Sequence, residues 1–365
     1  MKISIGAKIV DGPYGGGNAF LYNYIKYLKD QNHEVVNHLR DNDIDIIILI
    51  NPLITSEVAT FNHIDILYYI NNVNSNAISI QRINDCDERK MTNYVNKQII
   101  KSNSFVDVTV FVSDWLKQIY FNQGMKPKEP FVVRGGPDNK IFNNKNKEKW
   151  DKKKKLKIVT HHWSGNWMKG FDTYSLLDKL IEEKQWKNKI EFTYVGNLPK
   201  GYSFANTKVI SPKSGQELSN ELKKHNLYIT GSLNEPSGNH HMEAALCGLP
   251  VLYIESGGIP EYCNDYGLSF DLDNIEEKLN EIINKYHIYF DNLKNYPYDF
   301  KYAANSLDDI LNFVNSNREL LISRRKKSSK FCVNTYYLVN KIYRKLYYFF
   351  ISFKKFFGKI KRLIS

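Results

Sequence analysis

Short apolar runs alternate with amphipathic stretches along the first 320 residues. Lys2–Val10 reads as a strand, a glycine loop follows, and a helix is predicted over Ala19–Asp30. Asp45–Ile50 (DIIILI) is continuously apolar, as a strand must be when both of its faces are covered. Ile66–Ile70 and Val106–Val112 read as strands on the same ground, with helices between them. Lys145–Lys157 (KNKEKWDKKKKLK) has no run of buried type and reads as an interdomain linker. Beyond it, strands are predicted at Leu156–His162, Ile190–Val195, Lys208–Ile210, Leu227–Thr230 and Val251–Ile254. Helices are predicted at Asp172–Trp186, Gln216–His225, His240–Leu246 and Ile275–Leu293. Strand–helix alternation of this kind builds parallel sheets with helices on both faces. The expected class is α/β, with two Rossmann-like domains (1–150 and 151–320) facing a cleft. The last helix of the second can cross back to the first, and 321–365 forms a separate tail.

Charge changes this picture only at the end of the chain. The 365 residues carry a net +12, yet residues 321–365 hold thirteen basic side chains and no acid. Residues 1–320 carry 38 basic against 39 acidic side chains, so the basic character belongs to the tail. A nucleic-acid partner is not expected, because such proteins carry their basic footprint on the folded body. Cys86, Cys247, Cys263 and Cys332 are widely spaced, without a C-x-x-C pair, which reads as a reducing compartment rather than a disulfide framework. The opening MKISIGAKIVDGPYGGG is too briefly apolar for a signal peptide, so a cytoplasmic body is expected.

The segment Leu227–Cys263 carries the most chemistry. A strand ends near Thr230, Pro236-Ser237-Gly238 turns the chain, and a helix starts near Asn239 and stops at Gly248-Leu249-Pro250. Free backbone N–H groups around Gly238, Asn239 and His240 then sit at a helix N-terminus on the carboxyl edge of a parallel sheet, a place suited to a diphosphate. Glu235 precedes the turn and Glu243 lies about one turn into the helix. Carboxylates there accept hydrogen bonds from sugar and ribose hydroxyls. The alternative is that Glu243 only complements the helix dipole and Glu235 is a solvated loop residue.

Glu235-x7-Glu243, followed by AALCGLPV and GGIPEY, resembles the donor-site signature of retaining GT-B glycosyltransferases of family 4. Other landmarks agree in order: Gly15-Gly16-Gly17 after the first strand, Asp107 with Phe111-Val112-Ser113, Val133–Asp138 through Phe142, and Lys169-Gly170. The resemblance covers about residues 1–310 and implies a nucleotide-sugar donor. It implies that Glu243 binds the donor ribose, that Glu235 works near the reacting carbon, and that Lys169 neutralises the diphosphate. Gly16, Gly17, Gly238 and Asn239 complete the expected donor site. The family's Arg five residues before the Lys is here Ser164, so the second cation is either missing or supplied from elsewhere, with Arg82 and Arg134 as the candidates.

Arg82 and Asp85, in the charged stretch QRINDCDERK, are the acceptor-side candidates, against the alternative of an ion-paired surface turn. The scattered pairs Asp43-x-Asp45, Asp85-x-Asp87 and Asp271-x-Asp273 lack a flanking pattern, and neither a metal nor another cofactor is expected. His161, His162, His240 and His241 read as polar lining of the donor site. In the tail, Val339, Ile342, Leu346, Phe349, Phe353, Phe356, Ile360 and Leu363 recur at alternating spacings of three and four, with Lys341, Lys345, Ser352, Lys355, Lys359 and Arg362 elsewhere on the helix. This pattern predicts a cationic amphipathic helix lying in an anionic membrane surface, with docking on its own body as the alternative. The expected function is transfer of a sugar to a lipid-linked or surface-glycan acceptor at the cytoplasmic membrane face. A nucleotide-sugar epimerase and a non-catalytic sugar-binding subunit are the alternatives.

Overall fold

The computed structural model describes residues 1–10, 15–53 and 55–364, with side chains as far as Phe353. In the first half, β1 (Lys2–Ile5), β2 (Glu34–Val36), β3 (Ile46–Leu49), β4 (Ile78–Ile83), β5 (Val108–Phe111) and β6 (Pro130–Val132) form one parallel sheet in the order β2-β1-β3-β4-β5-β6. The crossovers carry α1 (Gly16–Asp30), α2 (His63–Asn72), the one-turn α3 (Asp87–Lys90), α4 (Val95–Asn103) and α5 (Asp114–Asn122). All of β3, β4 and β5 is buried; β3 is accordingly apolar on both faces, whereas β4 carries Ser79, Gln81 and Arg82 and β5 carries Thr109. Helix α1 covers one face through Phe20, Leu21, Tyr24 and Leu28, which share one side of the helix.

The second half repeats the plan. It contains β7 (Leu156–His162), β8 (Ile190–Gly196), β9 (Lys208–Ile210), β10 (Leu227–Thr230), β11 (Val251–Ile254) and β12 (Gly267–Phe270). They form a parallel sheet in the order β12-β11-β10-β7-β8-β9. Its helices are α6 (Phe171–Leu180), α7 (Gly215–Leu222), α8 (Asn239–Leu246), the one-turn α9 (Pro260–Cys263) and α10 (Ile275–Asn292). Helix α11 (Phe300–Ser316) then returns to the first sheet. Its Ala303, Leu307, Ile310, Leu311 and Val314 join the core of Ile3, Ile5, Phe20 and Tyr24, and the Tyr27 hydroxyl donates to the Asp308 carboxylate.

Three sequence expectations are corrected. Ile66–Ile70 is not a strand but the middle of α2. Asn62 accepts from the N–H groups of Ile64 and Asp65 while Asp65 accepts from that of Asn62, a capping box that starts a helix. The strand is Ile78–Ile83 instead. A short apolar run does not distinguish the two states by itself. The helix expected to reach Trp186 ends at Leu180, and Trp186 turns into the core with its indole N–H donating to Glu276. The tail expected from residue 321 begins later. Helix α12 (Arg318–Ser323) buries Leu321 in the first core, and Arg325 clasps buried Asp107 at 2.9 and 2.7 Å.

The long helix α13 (Lys330–Ile364) follows and lies against α2. Val333 and Asn340 are buried in this seam, where Asn340 pairs with Asn62, Arg344 with Asp65 at 3.0 Å, and Tyr337 stacks on Tyr68 at 3.9 Å. The apolar stripe faces the other way: Val339, Ile342, Leu346, Phe349 and Phe353 are all more than half exposed. The expected positions beyond Phe353, namely Lys355, Phe356, Lys359, Ile360, Arg362 and Leu363, lie outside the residues whose side chains are described. Among the described residues, no helix is long and apolar enough to cross a membrane.

Candidate active site

The carboxyl ends of both sheets meet at one cleft, the place where open α/β sheets present loops and helix N-termini to ligands. On the second-domain side, β10 ends at Thr230 and a loop carries Glu235 before α8 begins at Asn239. The Glu235 carboxylate oxygen Oε2 lies 3.0 Å from Lys169 Nζ and also accepts from the Ser232 hydroxyl at 3.2 Å. Lys169 reaches this point from a single 3₁₀ turn after β7, closed by Gly170 with φ +105°. A Cβ on Gly170 would stand 2.5 Å from the carbonyl carbon of Gly231, so a side chain there would push Lys169 away from the end of β10.

The second cation comes from the other domain. Arg89, on the short α3, places its guanidinium 3.0 Å from the same Glu235 oxygen and donates to the Leu233 carbonyl at 3.1 Å. Arg82 and Arg134, the residues expected for the place left by Ser164, make their contacts elsewhere. Arg134 is held by Glu261 at 2.9 Å and Asp114 at 2.7 Å, in a strut between the domains. Arg82 packs over the Phe20 ring inside the first domain. Ser164 is exposed and accepts the Asn166 N–H. No local spacing rule singles out Arg89, because its partner lies far away in sequence. Burial pushes the Glu235 carboxyl up, but the opposing Lys169 and Arg89 charges outweigh it and hold the pKa at about 2.

One turn into α8, the Glu243 carboxylate accepts from His161 Nε2 at 2.8 Å. The remaining histidines are buried. His162 meets the Tyr174 hydroxyl at 2.6 Å and His240 the Thr230 hydroxyl at 2.9 Å. Burial pushes the pKa values of His162 and His240 well down and that of His241 to about 3, so these rings are neutral at pH 7. The positive charge beside Glu235 therefore comes from Lys169 and Arg89.

The glycine loop completes the cleft. Gly16 starts α1 directly opposite Asn239, which starts α8, and a Cβ on Gly16 would stand 2.9 Å from the Asn239 amide nitrogen. Two helix N-termini thus converge near Gly238, neither with a side-chain cap among the described residues. Asp85 lies on the first-domain side, ion-paired with Lys90. It joins Arg82, Gly16 and Gly17 in the wall of a cavity of about 390 Å³. Among the described residues, no group of three or more His, Cys, Asp and Glu side chains is placed to hold a metal.

Solved structures resemble the chain along most of its length. HepE of Anabaena, solved with UDP, matches at TM-score 0.62 with 13% identity over 85% of this chain and 99% of that one. Sucrose-phosphate synthase from Thermosynechococcus elongatus matches at 0.60 with 11% identity over 86% and 99%. A glycosyltransferase from Rickettsia africae matches at 0.60 with 13% identity over 87% and 98%. No curated protein matches by sequence. Residues 142–296, which hold Lys169, Glu235 and Glu243, match the family model of glycosyl transferases group 1. Two parallel-sheet domains across a cleft, the second matching the group 1 glycosyl transferase model, give this chain the GT-B fold with a group 1 glycosyl transferase domain.

Proposed function

We propose that the enzyme transfers a sugar, with retention of anomeric configuration, from a nucleotide-sugar to a lipid-linked or surface-glycan acceptor at the cytoplasmic face of a membrane. The convergence of Gly16 and Asn239 beside Lys169, Arg89 and Glu235 carries this reading. Two helix N-termini and two cations suit a diphosphate whose negative charge grows as the glycosidic bond breaks. In the proposed site Glu243 receives the ribose hydroxyls, and Gly17 and Gly238 let the backbone approach. Glu235 sits near the reacting carbon, and Arg82 and Asp85 face the acceptor. UDP bound in Anabaena HepE supports a nucleotide donor of that class.

In the proposed reaction an acceptor oxygen bonds to the anomeric carbon as the bond to the diphosphate oxygen breaks. The nucleoside diphosphate leaves with the electron pair, and the acceptor proton passes to its departing phosphate oxygen on the same face. The protein contributes position and charge. The outward apolar stripe of α13 supports the membrane location.

A thermal-shift screen with UDP-, GDP-, ADP- and dTDP-sugars tests the donor reading, since a ligand of the folded state raises its melting temperature. One nucleotide class should stabilise the chain and the others should not. No shift with any of them would count against it.

A further inference from the structure

The first-domain cavity holds a positive charge that no acid pairs with among the described residues. Arg82, near the end of β4, lies at the cavity wall and is 8% exposed, with its guanidinium carbon 4.3 Å from the centre of the Phe20 ring. Among the described residues no acid pairs with it, and Asp85, the acid in that wall, is taken by Lys90. Lys8 lines the same cavity, also without an ion pair among the described residues. Burial lowers the Arg82 pKa to about 10, which leaves it cationic at neutral pH. A charge withdrawn from water and left unpaired is unfavourable, and an anion entering the cavity relieves that cost.

The cavity is also tied to the tail. Asn51, Leu53 and Val58 form part of its wall, and Tyr348 of α13 donates to the carbonyl of Ser56 in this same segment at 3.1 Å. The exposed Leu346, Phe349 and Phe353 flank Tyr348 on that helix. An apolar surface fit for lipid therefore lies on the helix that braces the cavity.

We propose that Arg82, with Lys8, binds a phosphate group of the acceptor in this cavity, so that the acceptor is a phosphorylated molecule rather than a neutral glycan. Two cations match a phosphate dianion better than a single carboxylate. Arg presents paired N–H groups in the geometry that phosphate oxygens accept. This deepens the transferase reading above and rests on it. A lipid phosphate and a soluble sugar phosphate share the recognised chemistry, and the braced wall favours the lipid.

Calorimetric titration of the full chain tests this. The chain is first saturated with the nucleotide that stabilises it, so that the donor diphosphate place is filled; inorganic phosphate, dihexanoyl phosphatidic acid and acetate are then titrated separately. One phosphate site per chain is expected, weakened at least tenfold in Arg82→Gln and partly restored in Arg82→Lys, with nucleotide affinity within twofold throughout. Tighter binding of phosphatidic acid than of phosphate supports a lipid-borne acceptor, and equal binding supports a soluble one; both support the anion site. Absence of phosphate binding, undiminished binding in Arg82→Gln, or acetate binding as tightly as phosphate overturns the proposal. If Arg82→Gln shows no cooperative melting, Arg82→Lys alone decides, and binding indistinguishable from wild type overturns it. Nucleotide affinity is measured first, so its absence counts against the transferase reading and loss of phosphate binding alone counts against this one.

Discussion

Arg89 and Glu235 belong to different domains, and their side chains meet at 3.0 Å across the cleft. The contact joins α3, after the fourth strand of the first sheet, to the loop that feeds α8 in the second. Lys169 shares the same carboxylate oxygen, so Glu235 balances two cations. A diphosphate arriving between the helix N-termini would compete for those cations, and donor binding would then be coupled to the contact between domains. Arg89→Ala is expected to lower kcat/KM by about 10- to 100-fold, the range for one hydrogen bond to a charged group, while the melting temperature stays close to wild type. Steady-state kinetics with the donor identified by screening checks this. An unchanged kcat/KM would show that Arg89 is only a surface partner.

Glu235 and Glu243 should separate in kinetics. Glu243 is held by His161 on the α8 side and is expected to act on the ribose, so Glu243→Ala should weaken nucleotide-sugar binding about tenfold. Glu235→Ala should lower turnover more than donor affinity, because its carboxylate sits among the charges next to the departing diphosphate. Small and equal effects on binding and turnover from both variants would remove them from the donor site.

Much of this site was legible because its parts lie close together in sequence. Glu235, the Pro236–Gly238 turn and Glu243 fall within one loop and one helix, so spacing alone conveys their geometry. Arg89 was not legible, because nothing near QRINDCDERK distinguishes a cation that crosses a cleft from one on a solvated turn. The fold shows the same division. The uninterrupted Ile run of β3 declares a strand buried on both faces, whereas the equally short apolar run ILYYI in α2 is decided by its Asn62–Asp65 cap. In α13 the apolar stripe was visible as a period. The polar seam of Asn340 and Arg344 against α2 was not, since its partners Asn62 and Asp65 are remote in sequence.

A buried histidine away from the cleft should set part of the acid limit of stability. His63 is 5% exposed and stacks on Phe105 at 5.4 Å, and neither ring nitrogen has a partner among the described residues. Burial first, and then the Lys101 charge, lower its pKa from 6.5 to about 4. The folded chain thus resists the proton that the unfolded chain accepts. The stability contributed by the neutral ring is fully present above pH 6.5 and is lost as pH falls toward 4. Between pH 7 and 5 the loss should be on the order of 1–2 kcal/mol. Urea unfolding at those two pH values checks it: His63→Phe should lose less stability over the interval than wild type, and an identical loss would refute the assignment.

The last prediction concerns where the tail separates from the body. Residues 330–365 hold nine basic side chains and no acid, while Leu321 and Arg325 are part of the first domain. A chain ending at Ser329 keeps the Arg325–Asp107 clasp and should fold and bind nucleotide-sugar, although it loses the Asn340 and Arg344 contacts with α2. A chain ending at Leu320 leaves Asp107, 1% exposed, without its guanidinium, and should lose about 3–5 kcal/mol, the cost of breaking a buried pair. The Ser329 chain should also stop sedimenting with vesicles containing anionic lipid, which the full chain should do. Raising salt should weaken the full chain's binding, because screening shortens the reach of its basic residues. It should not abolish binding, because Phe349, Phe353 and their exposed neighbours contribute an apolar term that salt leaves in place. Equal sedimentation of the Ser329 chain and the full chain would show that α13 serves only to brace α2, and that the outward stripe meets something other than lipid.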